Sequence, residues 1–326
     1  LARGSSLNVT LPFAVDDFIA KSVAPSGSAW VARFERCLSA ATTVRFATED
    51  GHLGDDQLYA YASRLAMGLA ALCARHLCTT RRQLAVWDGQ APGSAAGTAA
   101  DIVAWRRAGL PQTIIAYGDG PVVDLDRVEV PAAPESGRDT RAMLFGDMKG
   151  FSKLGDAQIP VFTTLVLGVL GQVTDRFRDE ISLANTWGDG IFLVFEDPGA
   201  AARCALAMQA AMASLDLAAA GLPPTLALRV GGHLGPVYRI DDPVLHRANF
   251  MGAHVSRAAR IEPITPEGCV YVTETFAAVL ALEHAQEFAC DYVGITEMAK
   301  GYEPMRMFLL RPGGGADGPS TLRDVQ

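Results

Sequence analysis

Basic residues are in short supply. The 326-residue chain carries 28 Lys and Arg against 36 Asp and Glu, a formal net charge of −8 with a pI near 5.3. A protein that grips nucleic acid by neutralising phosphates shows the opposite balance, so nucleic acid is not an expected partner. A long apolar run is also missing. The longest, Val161 to Val173, is broken by two Thr, two Gly and Gln172. It reaches about 20 Å as a helix, where a bilayer asks for about 20 residues and 30 Å, so no membrane span is expected. No charged-then-apolar leader follows Leu1, and an opening residue other than Met fits a fragment or a processed chain. None of the six cysteines (Cys37, Cys73, Cys78, Cys204, Cys269, Cys290) forms a C-x-x-C pair. Zinc and disulfide frameworks are disfavoured on that count. Most lie in apolar stretches such as Ala71-Leu72-Cys73, so they are expected to be reduced core hydrophobes in a cytoplasmic protein. His233, His246 and His254 lack the carboxylate spacing of a metal site and are expected to be satisfied structural histidines.

What is present is enough apolar material for a core. Hydrophobic residues make up 49% and charged residues 20%, which excludes global disorder, and the length suggests about two domains. Residues 1 to 30 show no clear element. Thr43–Thr48 alternates like a strand, Asp55–Leu77 has apolar residues at helical spacing, and Gln83–Trp87 is a short apolar strand. A small-residue loop, Asp88 to Thr98, precedes a helix over Ala99–Ala108 and a strand over Gln112–Tyr117. This order is the grammar of a parallel α/β layer, so an N-terminal α/β Rossmann-like domain is expected over 1–135. Its Gly-rich loop can present backbone N–H groups to a phosphate, and such loops equally occur without a ligand. A regulatory or docking role for this half is the corresponding expectation. Pro121 to Arg138 is rich in Pro and charge and reads as a linker.

From Arg141 the pattern changes. Arg141–Asp147 is a strand ending in an acid, Ile159–Phe177 an apolar helix, and Leu183–Trp187 and Ile191–Phe195 two strands joined by Gly188-Asp189-Gly190, a hairpin signal. Ala200–Ala220 reads as an Ala-rich helix, with Met208 and Met212 facing the core. Strands follow around Gly231-Gly232, then a helix over Phe250–Glu262, a strand over Gly268–Thr273, a helix over Glu274–Leu282, and closing strands over Phe288–Met298 and Met305–Arg311. Neighbouring strand pairs with helices between them make residues 136–312 an α+β domain with a mainly antiparallel sheet. Residues 313–326 read as a disordered tail.

Two acids stand out. Asp147 ends an apolar strand, and Asp189 sits at a hairpin tip. Two carboxylates so placed can share divalent cations and leave coordination positions for phosphate and water. An Asp in a D-G turn can also do no more than cap its own turn.

The surrounding segments decide between these readings. Leu144-Phe145-Gly146-Asp147-Met148-Lys149-Gly150-Phe151-Ser152 resembles the first metal motif of the class III nucleotidyl cyclases, the adenylate and guanylate cyclases. Trp187-Gly188-Asp189, with Ile191 to Phe195 behind it, is similar to their G-D hairpin. Gly252-Ala253-His254-Val255-Ser256-Arg257-Ala258-Ala259-Arg260-Ile261-Glu262 is similar to their G-x-x-V-N-x-A-[AS]-R segment. Arg229 to Val237 resembles the strand before it, and Ala299-Lys300-Gly301 the late L-K-G turn. Five motifs in order span roughly 141 to 311.

The resemblance implies a ferredoxin-like core and conversion of a nucleoside triphosphate to a 3′,5′-cyclic nucleotide and pyrophosphate. It makes Asp147 and Asp189 holders of two Mg²⁺ or Mn²⁺ ions. Met148, Lys149, Gly150, Phe151 and Ser152 would line the triphosphate, with Lys300 at its far end. Arg260, four residues after Ser256 on one helix face, would stabilise the transition state. A head-to-tail homodimer is implied, with each site drawing on both chains.

Departures qualify this picture. Ser256 replaces the usual ribose-orienting Asn. Asn185 and Asn249 stand where base-reading residues are Lys and Asp for adenine, or Glu and Cys for guanine. ATP is expected first, on family frequency; GTP or a pyrimidine triphosphate is the alternative, since amides donate and accept. A non-catalytic nucleotide-binding sensor is the rival from another class.

Overall fold

The computed structural model describes residues 4–54, 56–118, 123–124, 130–131, 138–298 and 301–313. The N-terminal elements are β1 (Asn8–Leu11), α1 (Val15–Phe18), α2 (Ser28–Ser39), β2 (Thr43–Phe46), α3 (Gln57–His76), β3 (Gln83–Trp87), α4 (Thr98–Arg107) and β4 (Gln112–Ala116). Then follow β5 (Arg138–Lys149), α5 (Ile159–Val161), a π-helical stretch Phe162–Leu167, α6 (Gly168–Arg176), β6 (Ile181–Trp187), β7 (Gly190–Phe195), α7 (Pro198–Ala213) and β8 (Ala227–Asp242). The chain closes with β9 (Arg247–Met251), α8 (Ala253–Ala258), β10 (Val270–Thr273), α9 (Glu274–Glu283), β11 (Phe288–Thr296) and β12 (Met305–Pro312).

The second half builds one sheet in the order β11-β12-β10-β8-β5-β7-β6, with β9 folded back on the far end of β8. All pairings are antiparallel except β8 with β10. Within it, β5, β6, β7 and β8 with their two helical crossovers form the expected ferredoxin-like β-α-β-β-α-β unit. β7, GIFLVF, is buried at every position, as a central strand covered on both faces requires. Phe162, Val166, Leu170 and Val173 recur at helical spacing and bury one helix face on the sheet. α7 starts where Asp197 accepts from the backbone N–H groups of Gly199 and Ala200, both at 2.9 Å, and Pro198 takes the first turn. Its Ala residues let it sit close to the sheet, and Met208 and Met212 are buried there as expected.

Several expectations need correction. The helix expected over Phe250–Glu262 is instead strand β9 and the short α8. Gly252, at φ 136°, takes a conformation that side-chain-bearing residues avoid and separates the two. α7 stops at Ala213 rather than Ala220. β1, α1 and α2 arise where no element was expected; α1 is a single short turn, and α2 carries Trp30, Val31, Phe34, Cys37 and Leu38 at a helical spacing that sequence reasoning passed over, although none of its residues is buried. The cysteines divide: Cys204 and Cys290 are buried, and Cys37, Cys73 and Cys78 are exposed. Most of the Pro121–Arg138 linker and all but Gly313 of the expected disordered tail lie outside the described residues.

The N-terminal half is the largest departure. Its strands form two separate parallel pairs, β1–β2 and β3–β4, rather than one Rossmann-like sheet. Among the described residues β3–β4 is covered by α4 on one face; Leu84, Val86 and Ile115 on the other are exposed, unlike the strands of a doubly wound parallel sheet. α3 packs instead on α9. Tyr61, Ala62 and Leu65 meet Ala47 and Ala278, and Ala71, Leu72 and Trp105 join the main core. The approach is so close that a Cβ on Gly68 would stand 2.5 Å from the Ala278 carbonyl oxygen. Gly68→Ala gains about 1 kcal/mol of helix propensity but must push two backbones apart, which costs about 1–3 kcal/mol. The net expectation is a lower unfolding midpoint in a chemical denaturation curve; an unchanged or higher one contradicts this packing.

Candidate active site

Asp147 lies near the end of β5, where the ladder places it directly across from Arg229 of β8. Asp189 occupies the two-residue turn between β6 and β7. Gly188 takes φ 68° there, the positive φ that a tight hairpin needs at its first central residue. Because β7 lies beside β5, the turn returns Asp189 to Asp147. Asp189 Oδ2 accepts from the backbone N–H of Met148 at 3.3 Å. Arg229 Nη2 donates to Asp147 Oδ2 at 2.8 Å. The same nitrogen lies 2.6 Å from Glu262 Oε1, an ion contact without hydrogen-bond alignment, and Arg229 Nε has no hydrogen-bond partner.

Two carboxylates, Asp147 and Glu262, therefore share one guanidinium, and Asp189 stands beside Asp147. The electrostatics record the crowding. Burial, and then the charge of Asp147, raise the Asp189 carboxyl above the usual carboxylate range. Burial, again followed by Asp147, pushes Glu262 up to about 7, against the pull of Arg229. Excess negative charge on hard oxygen donors is the environment a Mg²⁺ or Mn²⁺ ion relieves. Among the described residues no cluster of three or more His, Cys, Asp and Glu side chains forms a ready metal cage. A pair of carboxylates suffices for Mg²⁺ when substrate phosphates and water complete the shell, so the residues fit the expected ion.

The other expected site residues are distributed as follows. The Met148 side chain is buried in the core, so only its backbone faces the acids. Lys149 ion-pairs with Glu267. Gly150 takes φ 95° and swings the chain into a 3-10 turn, Phe151–Lys153, where Phe151 packs on Phe162 and Ser152 is exposed. Lys300 lies outside the described residues. Ser256 is exposed on α8. α8 ends at Ala258, so Arg260 sits in the following turn and not on the helix face shared with Ser256. The Arg260 guanidinium lies over the Tyr302 ring at 5.3 Å, and its Nε is buried without a hydrogen-bond partner. Among the described residues no hydrogen bond or ion pair joins Arg260 or Ser256 to either aspartate. Asn185 Oδ1 accepts from Arg247 Nη2 at 3.0 Å, and Asn249 Nδ2 donates to Asp242 Oδ2 at 2.9 Å.

Sequence reasoning passed over Arg229, Arg247 and Glu262 as site residues. Arg229 and Glu262 lay inside quoted segments, but nothing short of the β5–β8 register shows that they meet Asp147. Of the expected metal-free histidines, His233 and His254 are buried and hydrogen-bonded, and His246 sits in the β8–β9 turn at φ 52°.

A sequence model of the adenylate and guanylate cyclase catalytic domain matches residues 134–312. No curated protein matches the chain. Three solved structures illustrate the likeness of shape. The adenylyl cyclase CyaB from P. aeruginosa is 18% identical at a TM-score of 0.46, covering 53% of this chain and 94% of its own. Adenylate cyclases from Trypanosoma brucei, solved in their monomeric state, are 21% identical at 0.46, covering 54% and 90%. The guanylate cyclase domain of RhGC from Catenaria anguillulae, in complex with GTP, is 16% identical at 0.45, covering 54% and 97%.

Asp189→Asn keeps an acceptor for the Met148 N–H and removes one crowded charge. It is expected to raise the melting temperature of the metal-free protein at mildly alkaline pH, and to cancel the upward shift that millimolar Mg²⁺ gives the wild type. Calorimetric scans with and without Mg²⁺ test both. A wild-type melting temperature indifferent to Mg²⁺ contradicts the carboxylate pair as a cation site.

Proposed function

Because the chain belongs to the adenylate and guanylate cyclase catalytic-domain family, we propose that it converts a nucleoside triphosphate to a 3′,5′-cyclic nucleotide and pyrophosphate. The observation that carries this reading is the convergence of Asp147 and Asp189 at one sheet end, with a carboxyl held above its usual range by burial and the neighbouring charge. Such a pair is costly to a fold that makes no use of it. Two Mg²⁺ or Mn²⁺ ions held by these carboxylates would supply a lowered pKa for the ribose 3′-OH and neutralise the phosphates. The 3′-oxygen forms its bond to the α-phosphorus as the bond from that phosphorus to the β-phosphate oxygen breaks, and pyrophosphate leaves. The protein's own part is positioning and charge. Arg229 fixes the Asp147 carboxylate, the turn after Gly150 offers backbone to the triphosphate, and Arg260 faces charge on the transferring phosphoryl group.

A homodimer is part of the proposal. Among the described residues Arg260 and Ser256 make no hydrogen bond or ion pair with the aspartates of their own chain, and a second copy would complete each site. Exposed Trp187, Val244, Leu245 and Met251, on the hairpins that Arg247 and Asn185 link, give such a copy an apolar surface to cover. Residues 136–312 would be the catalytic unit and 1–135 an N-terminal unit acting on it. A cytoplasmic setting accompanies the free cysteines.

A second reading concerns the base. No residue of this chain speaks for ATP beyond family frequency. The Asn185 oxygen is occupied by Arg247, leaving the amide N–H groups and the guanidinium as donors. A donor-rich edge suits a base with a carbonyl at purine C6 or pyrimidine C4, guanine or uracil, over one with an amino group there.

One experiment separates these readings. The protein is incubated with each of the four nucleoside triphosphates and Mn²⁺, and products are identified by mass. Asp147→Ala is expected to bring cyclic product to background; turnover that survives it moves the chemistry elsewhere, and binding without product in the wild type leaves the sensor. Arg247→Met is expected to lower kcat/KM for GTP or UTP by roughly ten- to a hundredfold, the value of one good base contact, and to leave ATP and CTP nearly unchanged. A preference for ATP that ignores Arg247→Met returns the base to family frequency.

A further inference from the structure

α8, the short helix ahead of Arg260, is tied to the N-terminal half through a buried chain of hydrogen bonds. Thr48, in the segment between β2 and α3, lies 3.0 Å from His254 Nε2. His254 Nδ1 lies 2.8 Å from His233 Nε2, and the two rings stack with 10° between their planes. His233 Nδ1 lies 2.9 Å from the Thr273 hydroxyl, which lies 2.9 Å from that of Thr275. Thr48, His233, His254 and Thr273 are each 4% exposed or less.

The ends of the chain fix the direction of every proton. Thr275 donates to the Leu234 carbonyl at 2.9 Å, so Thr273 donates to Thr275 and accepts from His233 Nδ1–H. His233 Nε2 is then an acceptor, and His254 donates to it from Nδ1. His254 Nε2 is left as an acceptor for the Thr48 hydroxyl, whose oxygen takes the backbone N–H of Asp50 at 3.0 Å. Each donor is used once, with both imidazoles neutral and both carrying the proton on Nδ1. Burial favours that neutral state: it holds His233 well below the ordinary histidine range, and brings His254 to about 3 with help from Arg257 and Arg138. The remaining neighbours of His254 are the Asp50 carboxylate, 3.9 Å from Nε2, and the Tyr61 ring, edge-on at 6.1 Å. Tyr61 itself donates to the Leu234 carbonyl at 3.1 Å. The fit leaves no slack, since a Cβ on Gly235 would stand 2.1 Å from His254 Nδ1.

Without the Thr48 hydroxyl, His254 Nε2 is a buried acceptor with no donor, an expensive state whose relief is movement of the ring toward water. His254 is the second residue of a six-residue helix, so such movement carries through α8 to the turn that holds Arg260. We propose that Thr48 and His254 are positioning residues for the phosphoryl-transfer arginine: the N-terminal segment holds α8, and with it Arg260, through this hydrogen-bond chain. The inference rests on the cyclase reading above and names a route by which the N-terminal half controls that chemistry.

The test uses the full chain and the triphosphate that the wild type turns over. Thr48→Val keeps the shape and removes the hydroxyl; Thr48→Ser keeps the hydroxyl. Thr48→Val is expected to lower kcat by roughly ten- to a hundredfold, the cost of a misplaced catalytic group, with KM within about twofold. Thr48→Ser is expected to restore most of the rate. Thr48→Val combined with Arg260→Ala is expected to be no slower than Arg260→Ala alone, because a displaced arginine and a missing one cost the same step. Calorimetry confirms that each variant is folded at the assay temperature. A folded Thr48→Val enzyme with wild-type kcat, a raised KM alone, or losses that add to those of Arg260→Ala overturns the proposal. A wild type that makes no cyclic product, or an Asp147→Ala variant that still does, overturns the cyclase reading itself and the proposal with it.

Discussion

Like charges held together are the constraint on which the site depends. Asp147 and Asp189 come from different strands, and their carboxylates repel wherever the sheet brings them close. The β5–β7 and β5–β8 ladders enforce the approach. The same β8 register places Arg229 opposite Asp147, and the turn after α8 brings Glu262 to the same nitrogen of that guanidinium. One cation among three carboxylates moderates the repulsion without removing it, and the raised Asp189 and Glu262 carboxyls are its residue. A better-neutralised cluster would be more stable and would have less use for a divalent ion.

The N-terminal half shares in that framework. A separate Rossmann-like domain tethered by a linker could reach the chemistry only through a mobile interface. Here α3 lies in van der Waals contact with α9 at Gly68, and Thr48 and Tyr61 insert into the polar interior between β8 and α8. The two families of contact differ in kind. The apolar α3–α9 packing fixes where the half sits and tolerates substitutions of equal volume. The hydrogen-bonded rings admit one arrangement of protons, and so make the position of α8 sensitive to a single hydroxyl.

What could be read from sequence follows the range of the forces involved. The βαββαβ order, the Asp189 hairpin and the sheet-buried β7 were legible because turn chemistry and local periodicity encode them: glycine at a positive φ, and apolar residues at a fixed spacing. α8 was overextended because Ala253 to Glu262 is a good helical pattern, and only the strand pairing of Arg247–Met251 with β8 shows where the helix must begin. The failed Rossmann reading has a similar cause. β1–β2 and β3–β4 each have the local grammar of a parallel layer, but whether two such pairs join is decided by what covers their faces. α3 is consumed by α9 and leaves none to span them. Of the site, the two aspartates were visible as motif residues. Arg229 and Arg247 were not, because their meaning lies in partners 82 and 62 positions away.

The surroundings of Arg260 are informative in their own right. Among the described residues Arg260 forms no ion pair with a carboxylate. Its guanidinium faces the π-surface of Tyr302, and its buried Nε has no acceptor. A buried Nε without an acceptor is a cost that a bound anion would offset. Asp147 and Asp189, by contrast, carry more negative charge than Arg229 answers. Glu262, two residues after Arg260, meets Arg229 beside Asp147, yet among the described residues no ion pair joins Arg260 to these acids. The proposed head-to-tail pairing of copies would bring Arg260 of one to the acids of the other. The same pairing would cover the exposed apolar residues of the β6–β7 and β8–β9 hairpins. Charge, solvation and exposed apolar surface are thus three separate supports for the proposed homodimer.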